Sequence, residues 1–176
     1  MLKQVEITKE NMDLAMEIEK ILFPEYSAEV NYRESVEKIT TNRYYLLYIG
    51  DNCVGISGIY AYDVDPHSAW LGWFGILPQY RRNGYGSMAL RLYENEAREL
   101  GYTYARLYTD RDGNDVAIAF YENNGYSAEE YRNANDMIIQ KYPILIFSKN
   151  LTGGEVEKWS DRYIDLTSQV EKQLGR

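Results

Sequence analysis

Ten residues in the middle of the chain, Leu77 to Gly86, read Leu-Pro-Gln-Tyr-Arg-Arg-Asn-Gly-Tyr-Gly and constrain the fold more than any others. A nearly continuous apolar run, Trp70 to Leu77, enters this stretch, and an amphipathic run, Ser87 to Leu100, leaves it. The order is strand, Arg- and Gly-rich turn, helix. The first turn of a helix exposes unpaired N–H groups and a partial positive charge. Gly84 and Gly86 let an anion approach the backbone, and Arg81 and Arg82 add donors suited to phosphate. Charge agrees with this. The chain has 27 acidic residues and a net charge of −8, yet none of the acids lies between Pro66 and Tyr93. At average density roughly four would be expected there. An electropositive island in an acidic chain points to an anion site.

With 176 residues, 45% hydrophobic and 26% charged, one globular domain with a real core is expected. No apolar run reaches the length of a membrane helix, and Met1 to Glu6 lacks the apolar stretch of a signal peptide. A cytoplasmic protein that does not contact membrane is therefore expected. Cys53 is the single cysteine and His67 the single histidine. That argues against a disulfide, a Cys- or His-based metal site, or a Ser-His-Asp triad. Bulk acidity argues against nucleic-acid binding.

Hydrophobic spacing predicts a helix from Glu6 or Thr8 to Phe23, with Leu14, Ile18 and Ile21 on one face and Pro24 as its stop. Ser27 is placed to cap a second helix over Ala28 to Thr40, with Val36 and Ile39 inward. Tyr44 to Ile49 and Cys53 to Asp63 read as a hairpin around Gly50-Asp51-Asn52. Asp63 to Ser68 reads as a turn, and Trp70 to Leu77 as a central strand buried on both faces. The clearest helix runs from Gly84 to Leu100. Gly86, Leu90, Tyr93, Ala97 and Leu100 share its inner face, Glu94 and Arg98 lie outside, and Gly101 closes it. Tyr104 to Thr109 is a strand. Asn114 or Asp115 caps a short helix ending near Asn124, before Gly125. Tyr126 to Tyr131 and Ile144 to Ser148 are predicted as neighbouring antiparallel strands. The fold class is α/β, a mixed sheet with helices on both faces. Residues 1–150 form the expected domain. Residues 151–176 form a tail, helical over Glu155 to Leu174, that packs on the domain or on a partner.

Two motifs together resemble the GNAT superfamily of acyl-CoA N-acyltransferases. Arg81-Arg82-Asn83-Gly84-Tyr85-Gly86 fits that family's Arg/Gln-x-x-Gly-x-Gly/Ala pyrophosphate loop. Asn114-x-x-Ala117-x-x-Phe120-Tyr121-Glu122-Asn123-Asn124-Gly125-Tyr126 fits its Asn-x-x-Ala-x-x-Phe-Tyr-x-x-x-Gly-Phe signature, with Tyr126 in place of the usual Phe. The resemblance implies acetyl-CoA as cosubstrate, no metal, and an amine acceptor attacking directly while the thiolate leaves. Homodimers are common in the family.

The resemblance places the pantetheine arm along Phe74 to Leu77, with Phe74 and Ile76 among the binding residues and the Ile76 amide polarising the thioester carbonyl. It places the pyrophosphate on Arg81, Arg82, Asn83, Gly84, Tyr85 and Gly86. Tyr121 is then the proton donor to the leaving thiolate, and Asn114 contacts the cosubstrate or simply caps its helix. One departure matters. Many members carry a Glu base on the central strand, and here that strand holds no carboxylate. Either a water chain and backbone carbonyls suffice, or the base comes from elsewhere; Asp63, beside Asp65 and His67, and Glu25, between the first two helices, are the candidates. The missing carboxylate also leaves open a non-catalytic acyl-CoA-binding module. Gly84-x-Gly86-x-x-Ala89 nominally fits a dinucleotide fingerprint, but Pro78 to Asn83 separates the strand from the first glycine and too few βα units follow. An acidic surface favours a cationic acceptor.

Overall fold

The computed structural model describes residues 1–131 and 143–159. Its elements are β1 (Leu2–Glu6), α1 (Met12–Leu22), α2 (Glu29–Val36), β2 (Arg43–Ile49), β3 (Asn52–Tyr62), β4 (Asp65–Leu71), β5 (Gly75–Ile76), α3 (Tyr85–Glu99), β6 (Tyr104–Asp110), α4 (Asp115–Asn123), β7 (Ser127–Glu130) and β8 (Ile144–Asn150). They form one mixed eight-stranded sheet in the order β1-β2-β3-β4-β6-β8-β7, with β5 on β3. The mixed α/β class follows the sequence reading. All strand pairs are antiparallel except β4 with β6.

α3 covers one face of the sheet. Its Leu90, Tyr93 and Ala97 pack on Ile59, Leu71, Ala105 and Leu107. α1 and α2 cover half of the other face, where Ala15, Ile18 and Tyr32 meet Tyr44, Leu46 and Ile56. The rest of that face is an aromatic layer of Trp70, Tyr60, Tyr62 and Tyr108 with Ile144, Ile146 and Trp159. The predicted tail helix over Glu155 to Leu174 falls largely outside the described residues. Within them, Trp159 is buried and stands edge-on to Trp70 at 5.1 Å between ring centroids.

Several sequence expectations are corrected. The first helix begins only at Met12, because Leu2–Glu6 is an edge strand paired with β2. Ile21 and Ile39, predicted inward, are 58% and 66% exposed, since α1 turns Ala15, Ile18 and Glu19 to the core and α2 ends at Val36. Leu100 is also exposed, at 46%. Glu94 is buried rather than outward: Lys149 Nζ donates to both its oxygens at 2.9 and 3.0 Å, and the Tyr126 hydroxyl donates at 3.1 Å. The turn predicted over Asp63 to Ser68 shrinks to Asp63 and Val64, with Tyr62 opposite Asp65. From Asp65 the chain is strand, and the buried Asp65 carboxylate lies 3.6 Å from the buried Arg106 guanidinium.

The α1–α2 corner carries an unusual carboxylate. Glu19 is 1% exposed and accepts the backbone N–H of Ala28. Burial pushes its carboxyl up to about 7, outweighing that hydrogen bond. Ser27 Oγ accepts the Glu29 N–H at 3.3 Å, but the N-cap of α2 is Ala28 and has no side-chain cap, which corrects the capping role predicted for Ser27.

Candidate active site

The predicted single strand Trp70 to Leu77 is broken. The Gly72 N–H bonds to the Gly58 carbonyl at 3.2 Å, and Gly75 lies opposite Ile56. The chain therefore takes one residue more on this side than on β3, a bulge at Trp73 and Phe74 facing Ser57. Trp73 has φ +47°, a conformation that costs a side-chain-bearing residue some free energy. Two glycines on β3 make the close approach possible. A Cβ on Gly55 would lie 2.1 Å from the Gly75 carbonyl oxygen, and one on Gly58 would lie 2.3 Å from the Tyr44 ring.

The bulge splits the sheet. β4 pairs with β6 only from Ser68↔Tyr104 to Trp70↔Arg106, after which β5 follows β3. β6 goes on with β8 to Asp110↔Ile144. A wedge opens beyond Trp70 and Arg106. The Leu77 N–H donates to the Val54 carbonyl at 2.8 Å. Antiparallel partners alternate, so the N–H and C=O of Ile76 point away from β3, toward the wedge. The carbonyl is taken by Arg81 Nε at 2.8 Å. The N–H is left facing the space where a neighbouring strand would lie.

The anion loop stands at the mouth of this wedge. After a 3-10 turn at Pro78–Tyr80, Arg82 and Gly84 adopt φ +62° and +78°. The Asn83 side-chain amide donates to the carbonyls of Tyr80 and Arg81 at 3.2 and 3.1 Å, which closes the loop on itself. The first bond into α3 runs from the Met88 N–H to the Gly84 carbonyl. The N–H groups of Tyr85, Gly86 and Ser87 therefore have no partner within the helix. Arg81 to Gly84 are exposed and Tyr85 and Gly86 half-buried, so the donors are accessible.

The two sequence motifs touch each other. A Cβ on Gly86 would lie 3.2 Å from the Phe120 ring, so the second glycine of the loop lets α4 lie against the start of α3. Phe120 stacks on Phe74 at 6.1 Å. Tyr121 is 8% exposed and packs against Phe74, Phe147 and Tyr126 at 6.5, 5.3 and 6.0 Å. Burial raises its phenol further above the ordinary tyrosine value, so it is protonated at neutral pH. Asn114 makes no side-chain cap; its amide donates instead to Thr109 Oγ1 near the end of β6. Asn114 thus holds the predicted N-cap position of α4, without a side-chain cap bond.

Among the described residues, Tyr121, Phe120 and α3 lie on one face of the wedge, and Trp73 lies on the other. There Trp73 packs edge-on to Phe23 at 5.4 Å and donates its indole N–H to Asn31 Oδ1 at 3.1 Å. Leu22 lies over Gly75. Glu25, exposed in the corner just after Leu22 and Phe23, is thus on this rim. Asp63 is not. It occupies the exposed turn at the far end of β4, roughly 20 Å along the strand from the bulge at ~3.3 Å per residue.

Sequence reading did not put Asp110 among the candidates for the base. Along β6, Ala105 and Leu107 face α3, while Arg106 and Tyr108 face the aromatic layer. The same alternation sets Asp110 on the open face, level with the mouth. Although the residue is exposed, desolvation by its neighbours raises its carboxyl above the ordinary value. Its position depends on where the strands part, which no local pattern encodes. Among the described residues no cluster of His, Cys, Asp and Glu suited to a metal ion occurs, and no helix is long and apolar enough to cross a membrane.

The description "Acetyltransferase (GNAT) family" belongs to the family whose model matches residues 10–126. No curated protein sequence matches. Solved structures share the fold at low identity. An Arabidopsis thaliana protein in complex with a bisubstrate analogue, CoA-Ac-MVNAL, has TM-score 0.67 at 20% identity, covering 85% of this chain and 98% of that one. A spermidine N-acetyltransferase chimera from Vibrio cholerae has TM-score 0.67 at 14% identity, covering 86% and 96%. A GNAT family acetyltransferase from Elizabethkingia anophelis with acetyl-CoA bound has TM-score 0.63 at 13% identity, covering 85% and 97%.

Proposed function

The chain belongs to the acetyltransferase (GNAT) family and is an acyltransferase, and from that premise we propose that it transfers an acetyl group from acetyl-CoA to a primary amine of a small molecule or protein, by direct attack in a ternary complex. The observation that carries this is the wedge, with the Ile76 N–H turned into it, between an anion loop and the buried hydroxyl-bearing ring of Tyr121.

The residues present fit the cosubstrate. The Tyr85, Gly86 and Ser87 amides, with Arg82 beside them, are suited to a pyrophosphate. Arg81 spends its Nε on the Ile76 carbonyl, so it ties the loop to β5 as well as adding charge. The Asn114 side chain stands at the opposite bank, on β6 and α4. Acetyl-CoA supplies the activated acetyl group. The Ile76 N–H is positioned to stabilise charge on an oxygen in the wedge. Tyr121, kept protonated by burial, is the proton donor.

An alkylammonium, with pKa near ~10.4, must lose a proton before it attacks. Among the described residues Asp110 and Glu25 are carboxylates on the side of the wedge away from α3, and we assign the proton to Asp110, whose raised affinity for protons suits the task. Asp63 lies too far along β4 to serve. The acceptor is cationic, in keeping with the net charge of −8 and with the amine acceptor named for the spermidine enzyme.

Calorimetry with acetyl-CoA, followed by coenzyme A release over a panel of diamines, amino alcohols and short peptides, tests the proposal. Micromolar to millimolar binding and amine-dependent release are expected. Absence of heat at millimolar acetyl-CoA overturns it. Binding without release for any amine moves the reading to a non-catalytic acyl-CoA module.

A further inference from the structure

We propose that Asn31 of α2 is a positioning residue for the transfer reaction: its bond to the Trp73 indole holds the bulge that turns the Ile76 N–H into the wedge. The proposal rests on the acetyltransferase reading and adds how the polarising donor is kept in place.

The register of the sheet makes the bulge decisive. Before it, Leu71 pairs with Ile59, and the Gly72 N–H bonds to the Gly58 carbonyl at 3.2 Å. After it, Ile76 pairs with Gly55, and the Leu77 N–H bonds to the Val54 carbonyl at 2.8 Å. A regular strand would carry the first register onward, setting Phe74 opposite Ile56 and Ile76 opposite Val54. Every second residue from Gly72 would then bond to β3, and the Ile76 N–H would be spent on the Val54 carbonyl. The extra residue reverses this. A donor at Ile76 faces the wedge only while the bulge survives.

The bulge is strained, and the strain sits on Trp73. Among the described residues, Lys38, Trp73 and Arg82 are the side-chain-bearing residues with positive φ, and Trp73, at +47°, is the one flanked by paired strands. Such a conformation persists where the surroundings hold it. Gly55 and Gly58 admit the close approach but put no hold on the Trp73 side chain. Phe23 packs edge-on to its ring at 5.4 Å, a contact that tolerates sliding. The bond from the indole N–H to Asn31 Oδ1, at 3.1 Å, is directional and fixes both the depth and the rotation of the ring. Asn31 can bear on it because α2 is itself anchored. Glu19 accepts the Ala28 N–H ahead of the helix. The fully buried Tyr32 packs against the Tyr44 ring at 5.3 Å, and Ser35 Oγ donates to the Asn42 carbonyl at 2.7 Å. The hold thus runs from α2, through one indole, to the backbone of the wedge.

Asn31→Leu removes the acceptor at similar volume. In the full-length protein it is expected to lower kcat for a transferred amine about tenfold, while the acetyl-CoA Kd from calorimetry changes by about threefold or less, because the loop amides are untouched. Trp73→Phe removes the same bond from the other side and keeps a ring, so it should lower kcat to a similar extent. Adding Asn31→Leu to Trp73→Phe should then cost less than about twofold more. Hydrogen exchange of the Trp73 indole N–H, assigned by NMR as the side-chain signal missing from Trp73→Phe, should quicken in Asn31→Leu. An unchanged kcat in folded Asn31→Leu, or an equal loss from Asn31→Leu in both backgrounds, overturns the role of Asn31 and leaves the acetyltransferase reading standing. If Asn31→Leu does not fold, an unchanged kcat in Trp73→Phe overturns it equally. A wild-type protein that transfers acetyl to no amine overturns the reading itself.

Discussion

Glu19 offers a test in which the sign is as informative as the size. Its carboxyl is pushed from an ordinary 4.5 up to about 7 by burial between α1 and α2, with the Ala28 N–H as its hydrogen-bond donor. Burial, with the charge of Glu19 second, raises the Tyr32 phenol on α2 well above the tyrosine range, so it stays neutral. A folded-state value above the unfolded one means the native protein holds this proton more tightly. The contribution to stability is complete below pH 4.5 and is lost as pH rises through 7. Converted at ~1.36 kcal/mol per tenfold change in acidity, the full difference is about 3 kcal/mol. Solvent relaxation near the end of α1 reduces this to about 2 kcal/mol. Glu19→Gln keeps a carbonyl for Ala28 and never ionises. It should match the wild type near pH 4.5 and exceed it by about 1–3 kcal/mol at pH 8, a rise of roughly 2–12 °C in Tm for a protein of this length. Urea unfolding of both proteins from pH 4.5 to 8.5 reads the difference directly, because other groups cancel. If the variant is less stable at pH 8, or if the gap does not widen with pH, Glu19 is ionised without penalty and the reasoning fails.

Other consequences can be measured in the same preparations. Tyr121→Phe removes the donor while keeping the ring packing, so kcat should fall by ~10²–10⁴ with acetyl-CoA affinity nearly unchanged by calorimetry; an unaltered kcat removes Tyr121 from the chemistry. Asp110→Asn should abolish the acid limb of the kcat/KM profile. In the wild type that limb, where activity is lost as pH falls, should lie above the usual carboxylate range because the carboxyl is raised; an identical profile in both proteins refutes the assignment. Gly55→Ala places a methyl 2.1 Å from the Gly75 carbonyl oxygen, which must push β5 aside. A loss of about 1–3 kcal/mol, together with a clear weakening of acetyl-CoA binding in calorimetry, is expected. Retained affinity would mean that β5 does not position the ligand.

Local sequence carried the parts of the fold that are local. The anion loop, α3 and the Asn114-to-Tyr126 signature depend on glycine, arginine and apolar residues at fixed short spacings, and each was visible. The parts that were not visible depend on distant partners. β1 buries only Leu2 fully among its residues, too little alternation to mark a strand. Glu94 sits at an outward-looking helical position, and its burial follows from Lys149, 55 residues on. The Trp70-to-Leu77 run was legible as buried strand. Its break at Trp73 was not, because the bulge is forced by how Gly55 and Gly58 approach it across the sheet. Asp110 gained its place in the same way, from a split between strands.

That split leaves an edge strand in the middle of a sheet. Beyond Arg106, β6 has no strand among the described residues on its β4 side to receive its backbone donors and acceptors, and Ile76 faces it from β5. Proteins normally shield such edges, because any extended peptide can pair with them. Here the edge is recessed and flanked by Phe74, Tyr121 and the rim of Trp73. A ligand lying along it would act as a short missing strand. The ligand-free protein should therefore aggregate on warming through this edge, and acetyl-CoA should suppress light scattering by more than its gain in Tm alone accounts for.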